Sequence, residues 1–135
     1  MPSLPLRRRS SSPQLAERLR SELQRALAIM DDAAMTGNLT RLGQAFSGGA
    51  LSEVRARFSA YQMAGIQVSP YRESLHLEVG RESASHGPTA RVRYRDRTSF
   101  LCSGAAPTSA NDAVLLVIEF DGSQDPWRIV SMVEE

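Results

Sequence analysis

Residues 89–102 read T-A-R-V-R-Y-R-D-R-T-S-F-L-C, and the alternation inside this stretch decides the fold. Arginine stands at Arg91, Arg93, Arg95 and Arg97, with Ala90, Val92, Tyr94, Asp96, Thr98, Phe100 and Cys102 falling between. A period of two belongs to a β-strand, where successive side chains leave opposite faces. One face is cationic; the other is mostly apolar, with Asp96 as its one carboxylate. A helix would scatter the arginines around its circumference and bury at least one. The stretch therefore predicts a long strand in an antiparallel sheet buried on one face, and the rest of the chain must cover that face.

Period two extends to both sides. Leu75, Leu77 and Val79 alternate with Ser74, His76 and Glu78, and residues 83–88 (S-A-S-H-G-P) form a hairpin connection of turn residues. Ile66, Val68 and Pro70 make an extended entry, with Pro70 marking an edge or a bulge. Beyond the polar loop 103–111, the run Val114–Ile118 within a strand 114–121 predicts a central strand covered on both sides. D-G-S-Q-D-P then turns the chain into a last strand, 127–133. That strand carries Trp127, Ile129 and Val133 on one face and Arg128, Val130 and Met132 on the other.

The period lengthens upstream. Leu15, Leu19, Leu23, Ala26, Leu27, Met30 and Ala34 recur at three- and four-residue steps, predicting a helix from a Ser12 cap and Pro13 to a stop at Gly37. Glu17, Arg18, Glu22 and Arg25 lie on its other side. Asp31 and Asp32 sit at the C-terminal end, which the helix dipole disfavours, so they are either solvated or met by an arginine or ligand. Asn38 starts a short second helix through Leu39, Leu42 and Phe46, ended by Ser47-Gly48-Gly49. A third helix follows from about Leu51 through Val54, Phe58 and Tyr61 to Gly65, with Arg55 and Arg57 on its exposed side. Residues 1–11 carry Arg7–Arg9 among prolines and serines without periodicity and read as a disordered tail.

Three helices followed by about four antiparallel strands in a meander make an α+β domain over 12–135, with helices packed on one face of a strongly curved sheet. The 135 residues support one core without disulfides, and the lone Cys102 reads as a small buried hydrophobe. The net charge of +1 gives no global pull toward nucleic acid or an anionic membrane, although all sixteen basic residues are arginine. No run approaches the ~20 apolar residues of a membrane span, and serines follow Arg7–Arg9 where an export signal needs an apolar core. The chain is expected to be cytoplasmic.

The element order, with A-L-A-I-M-D-D-A-A-M-T-G-N in the long helix, L-T-R-L-G-Q-A-F after it and L-L-V-I-E-F-D-G-S-Q-D-P-W-R-I-V-S-M at the end, resembles the nuclear-transport-factor-like superfamily. This is the cone-shaped fold of ketosteroid-isomerase-like and polyketide-cyclase-like proteins, in which a closing turn-then-W-R-I-V strand is common. The segment A-F-S-G-G-A-L also resembles the non-catalytic branch found at the ends of chloroplast-division and bacterial envelope proteins. The resemblance covers residues 13–135. It implies that, in a catalytic member, an acid/base residue would stand on the inner wall of the cone with a tyrosine or second acid opposite.

Asp96 is the residue that fits that place, with Tyr94 or Tyr61 as hydrogen-bond donor, because a carboxylate in an apolar cavity acquires the basicity that a general base needs. The competing expectation is that Asp96 lies at a bulge or strand end and pairs with an arginine. His76 faces away from the core and His86 lies in a turn, so no metal signature forms and no cofactor is expected. No nucleotide-cradling or hydrolase-elbow string occurs.

The sharper feature is the row Arg91, Arg93, Arg95 and Arg97, with guanidinium groups about 7 Å apart. Glu73, Glu78, Glu82, Glu119 and Asp121 are the carboxylates that adjacent strands offer it. Exposed aromatics and a basic surplus are missing, which excludes nucleic acid. The expectation is a non-enzymatic interaction or scaffold domain, dimerising or docking on a protein partner through this face. The alternative is a binder of a small apolar ligand, or a cofactor-independent isomerase, cyclase or dehydratase working inside the cone.

Overall fold

The leucine and alanine spacing from Leu15 to Ala34 produces a 24-residue helix, α1 (Pro13–Thr36). It ends as the sequence predicts: Gly37 adopts φ +79° and its N–H donates to the Ala33 carbonyl at 2.9 Å. A side chain there would also collide with Gln62, whose amide donates to the Gly37 carbonyl. The computed structural model describes residues 13–80, 87–123 and 125–135. The predictions for the 1–11 tail, the Ser12 cap, Glu82, His86 and most of the 83–88 connection lie outside those residues.

Among the described residues two α-helices, not three, precede the strands. The expected second helix is a single 3-10 turn, Leu42–Gln44, reached through Asn38, whose Oδ1 accepts from the Thr40 N–H at 3.1 Å. Gly48 and Gly49 do not end a helix; they begin α2 (Gly48–Met63), with extended Ser47 as its cap residue. Glycine is merely tolerated in that first turn, where four backbone donors lack intrahelical partners in any case.

Seven strands follow: β1 (Ile66–Ser69), β2 (Arg72–Val79), β3 (Thr89–Asp96), β4 (Ser99–Cys102), β5 (Thr108–Ser109), β6 (Asp112–Asp121) and β7 (Arg128–Glu134). The large sheet is the predicted four-stranded antiparallel meander, β2-β3-β6-β7. A smaller sheet, β1-β4-β5, comes from splitting the long strand expected over 89–102. Its alternation holds through Asp96, where the chain leaves one sheet; it resumes at Ser99 in the other, paired with β1. Asp96 Oδ1 accepts from the Thr98 N–H at 3.0 Å, and the Arg97 N–H donates to the Tyr71 carbonyl at 2.9 Å, so the bend is hydrogen-bonded on both sides.

Two bulges reset which side chains face inward. In β2, Ser74 and Leu75 occupy the space opposite one β3 residue, between the pairs Glu73↔Arg95 and His76↔Arg93. Leu77 and Val79 reach the core as expected, but Leu75 is 37% exposed. In β7, the register slips between Glu119↔Ser131 and Phe120↔Ile129. Ile129 is fully buried, Met132 packs against the core, and Val133 turns outward, the reverse of the expected parity. The extra residue flips every side chain beyond it.

The core lies between α1, α2 and the inner face of the large sheet, where Leu19, Leu23, Phe46, Ile118, Phe120 and Ile129 are fully buried. β6 is central but covered on one face only, since Ile118 and Phe120 face in while Leu115 and Val117 lie on the other side. Residues 45–47 run beside the start of β7, exchanging Ile129 N–H to Ala45 carbonyl at 2.8 Å and Ser47 N–H to Ile129 carbonyl at 2.9 Å. Glu22, expected on the outer side of α1, is instead buried and accepts from Arg18 Nε at 2.8 Å. The Arg18 guanidinium lies 4.5 Å over the Trp127 ring. Cys102, expected inside, is exposed.

Candidate functional site

The inner face of β3 carries Val92, Tyr94 and Asp96, and the open end of the helix layer stands over the last two. The bulge at Ser74 delivers a further residue. Arg72 has the parity of outward-facing His76 and Glu78, yet the inserted residue turns it inward, beside Tyr94 and across from Asp96 in register. Its guanidinium meets Asp31 of α1 in a two-pronged ion pair, Nη1 to Oδ2 at 2.9 Å and Nη2 to Oδ1 at 2.8 Å. It also lies 5.8 Å over the Tyr94 ring. This is the arginine that the misplaced carboxylate at the C-terminal end of α1 required.

These groups surround a cavity of about 110 Å³, closed on its apolar side by Phe58, Tyr61 and Phe100. The Tyr61 ring sits 5.7 Å from that of Phe100 and 6.3 Å from that of Phe58. The sequence candidates Asp96, Tyr94 and Tyr61 thus all line one cavity, together with Asp31 and with Arg72, which nothing in the sequence marks. Burial alone would lower the Arg72 pKa, but the bonds and charge of Asp31, assisted by Tyr94, outweigh it and hold the proton more tightly than in a free arginine. Burial raises the Tyr94 pKa, the Asp96 charge adds to that, and Arg72 opposes both without cancelling them. Asp96 stands at a strand end, as the second of its two expectations had it, but its carboxylate accepts from the Thr98 N–H; among the described residues it has no arginine partner.

The opposite face of the sheet carries the arginine row. Arg91, Arg93, Arg95 and Arg97 are all exposed. Arg93 bonds Glu78 at 3.1 Å and Arg97 bonds Glu73 at 3.3 Å, each a diagonal cross-strand neighbour. Arg95 donates to Asn111 at 3.1 Å, and Arg91 reaches over β6 to Glu135 at 3.3 Å. Ala113, Leu115 and Val117 stand beside the arginines in register, and Val133 pairs with Val117 on the far side. Glu119 closes this row at its far end, paired in register with Ser131. An apolar strip therefore runs down the middle of the uncovered face, bordered by the arginines.

Among the described residues no group of His, Cys, Asp and Glu gathers to hold a metal, and no helix is long and apolar enough to cross a membrane. No protein-family profile matches the chain, and no curated protein matches it in sequence. Solved structures do. The intermembrane-space region of the chloroplast protein ARC6 superposes with a TM-score of 0.66 at 17% identity, covering 88% of this chain and 95% of that one. Aln2 from a Streptomyces species superposes with a TM-score of 0.53 at 17% identity, covering 92% and 91%. At that identity the likeness shows the fold alone: α+β, with helices packed on a curved antiparallel sheet, consistent with a cone.

Proposed function

We propose that this chain is a non-enzymatic association domain whose uncovered sheet face pairs with a second copy of itself. The observation that carries the reading is an asymmetry between the two faces. Among the described residues, the cavity on the covered face holds about 110 Å³, well below the ~300–1,000 Å³ of ordinary ligand sites. The uncovered face presents Leu115, Val117 and Val133 to solvent beside an ordered arginine row, and such strips mark interaction surfaces.

The charge pattern argues for a second copy. In register across the sheet, Arg91 aligns with Val117 and Val133, and Arg93 aligns with Leu115, whose carbonyl accepts from the Glu135 N–H. A two-fold axis running along β6 lays the apolar strip on itself and each arginine row over the β7 side of the other copy. Arg93 then faces the partner's Glu135. An axis across the strands would instead stack arginine on arginine. Light scattering after size exclusion is the test: a dimer is expected, and Val133→Asp is expected to yield a folded monomer. A wild-type monomer at high concentration overturns the reading.

The convergence of Asp96, Tyr94 and Tyr61 on one cavity favours a second reading, a cofactor-independent isomerase, cyclase or dehydratase with Asp96 as base and a tyrosine as donor. Its test is ligand-detected NMR with a panel of small cyclic ketones. Binding that Asp96→Asn and Tyr94→Phe both weaken supports it; absence of binding removes it.

A further inference from the structure

The cavity beneath α1 and α2 has a charge balance that the association reading does not use. Two carboxylate and two guanidinium side chains are in its lining: Asp31, Asp96, Arg57 and Arg72. Asp31 and Arg72 satisfy each other through two bonds. Arg57 pairs with Glu53, one turn back on α2, at 3.2 Å. Asp96 is left as the carboxylate with no ion pair among the described residues, one oxygen holding the Thr98 N–H. The aromatic rings of Tyr61 and Phe100 line the same cavity.

We propose that this cavity binds a small organic cation, the guanidinium or primary ammonium head group of a free molecule or of a partner's side chain. Three features select that chemistry. The two carboxylates and two guanidinium groups of the lining balance, but three of them are engaged in ion pairs, which leaves Asp96 as the carboxylate open to a positive guest. Aromatic faces attract cations through their quadrupole, whereas they repel a carboxylate. The volume of about 110 Å³ is below the ~150 Å³ of a cavity that takes a benzene ring, which suits a head group and not a ring system. An anion would have to take Arg72 from its two-pronged bond with Asp31, or Arg57 from Glu53, and would meet the Asp96 carboxylate in either place.

The proposal goes beyond the sheet-face reading and lies on the other side of the sheet, so oligomeric state tests one and cation binding the other. The experiment is an NMR titration of the full chain at fixed ionic strength with methylguanidinium chloride, ethylammonium chloride and, as the anionic control, sodium acetate. Saturable shifts of the Thr98 and Phe100 amides with the two cations, and none with acetate, are expected. Asp96→Asn keeps an acceptor for Thr98 and is expected to weaken binding about tenfold or more, whereas Glu17→Gln, which removes an exposed carboxylate near the start of α1, changes nothing. A third arm uses acetyl-Gly-Arg-Gly amide: tighter binding than methylguanidinium assigns the cation to a partner's side chain, and exclusion assigns it to a free small molecule. Acetate binding, shifts confined to the outer sheet face, or equal affinity in Asp96→Asn each overturn the proposal. The wild-type shift map alone decides it should Asp96→Asn fail to fold.

Discussion

Ser74 holds φ at +58°, the only described non-glycine residue with a positive φ, and the cavity depends on it. A left-handed backbone costs an L-residue with a Cβ roughly 1–2 kcal/mol, less for a short polar side chain. Ser74 is exposed, so removing its side chain forfeits little packing. Ser74→Gly is therefore expected to stabilise the fold by up to ~1 kcal/mol, and Ser74→Val to destabilise it by ~1–2 kcal/mol, both read from urea unfolding. Arg72, which the bulge turns inward, is the next residue to test. Removing one partner of a fully buried ion pair costs ~3–5 kcal/mol, and the partial exposure of Asp31 reduces that to ~1–3 kcal/mol for Arg72→Met. In a double-mutant cycle with Asp31→Asn the second substitution should then cost much less than it does alone. Tyr94 gives a pH signature. Its native pKa lies above the unfolded value of ~10, so the native state binds more protons between the two values and stability falls as pH rises through that window. Tyr94→Phe is expected to flatten that alkaline decline, and to remove a phenolate transition lying above the ordinary tyrosine value in an ultraviolet titration.

At the scale of the element, what could be read from the sequence was periodicity, and it failed where a bulge interrupts it. Residues 89–96 alternate in the structure as they do in the sequence because β3 is a regular strand between two partners, with no freedom to slip. The α1 stripe was equally legible, save for Glu22, which Arg18 and Arg25 make tolerable inside. A bulge is a backbone event without a residue-type signature: Ser74 and Val130 look like ordinary strand residues, yet each reverses the parity beyond it. The break at Arg97–Thr98 was hidden for the opposite reason, because period two runs unbroken through a point where the chain changes sheets. The Asp31–Arg72 pair could not be read at all, being 41 residues apart and dependent on the β2 bulge. The β7 bulge makes a direct prediction. Met132→Ala should destabilise by ~1–3 kcal/mol, less than a fully buried methionine, while Val133→Ala should fall within ~0.5 kcal/mol in dilute, monomeric protein. Urea unfolding of the two variants distinguishes this register from the regular one, which reverses their order.

For the whole molecule, the decisive question is whether the arginine row serves the fold or its surroundings. Each of its ion pairs is solvent-exposed on both partners, and such pairs contribute roughly 0–1 kcal/mol. The row is thus dispensable to folding: Arg93→Glu should leave the unfolding free energy of the monomer within ~1 kcal/mol of wild type. The same substitution has a larger effect if the two sheets face each other about an axis along β6, because a carboxylate at position 93 would then oppose the partner's Glu135 in an interface that excludes water. Like charges so placed cost several times what they cost at the surface, and dimerisation should weaken by about one to two orders of magnitude. Glu135→Arg alone should weaken it similarly, since it sets arginine against Arg93 and frees Arg91. The combination Arg93→Glu with Glu135→Arg exchanges the two signs and should recover most of the lost affinity, as measured by sedimentation equilibrium over a range of concentrations. Raising the salt concentration should shrink the difference between the single variants and wild type without abolishing the dimer, whose central strip of Leu115, Val117 and Val133 is apolar. Two single variants that both weaken the dimer, with no recovery in the double, would place the partner's β7 somewhere other than over the arginines and rule out the axis along β6.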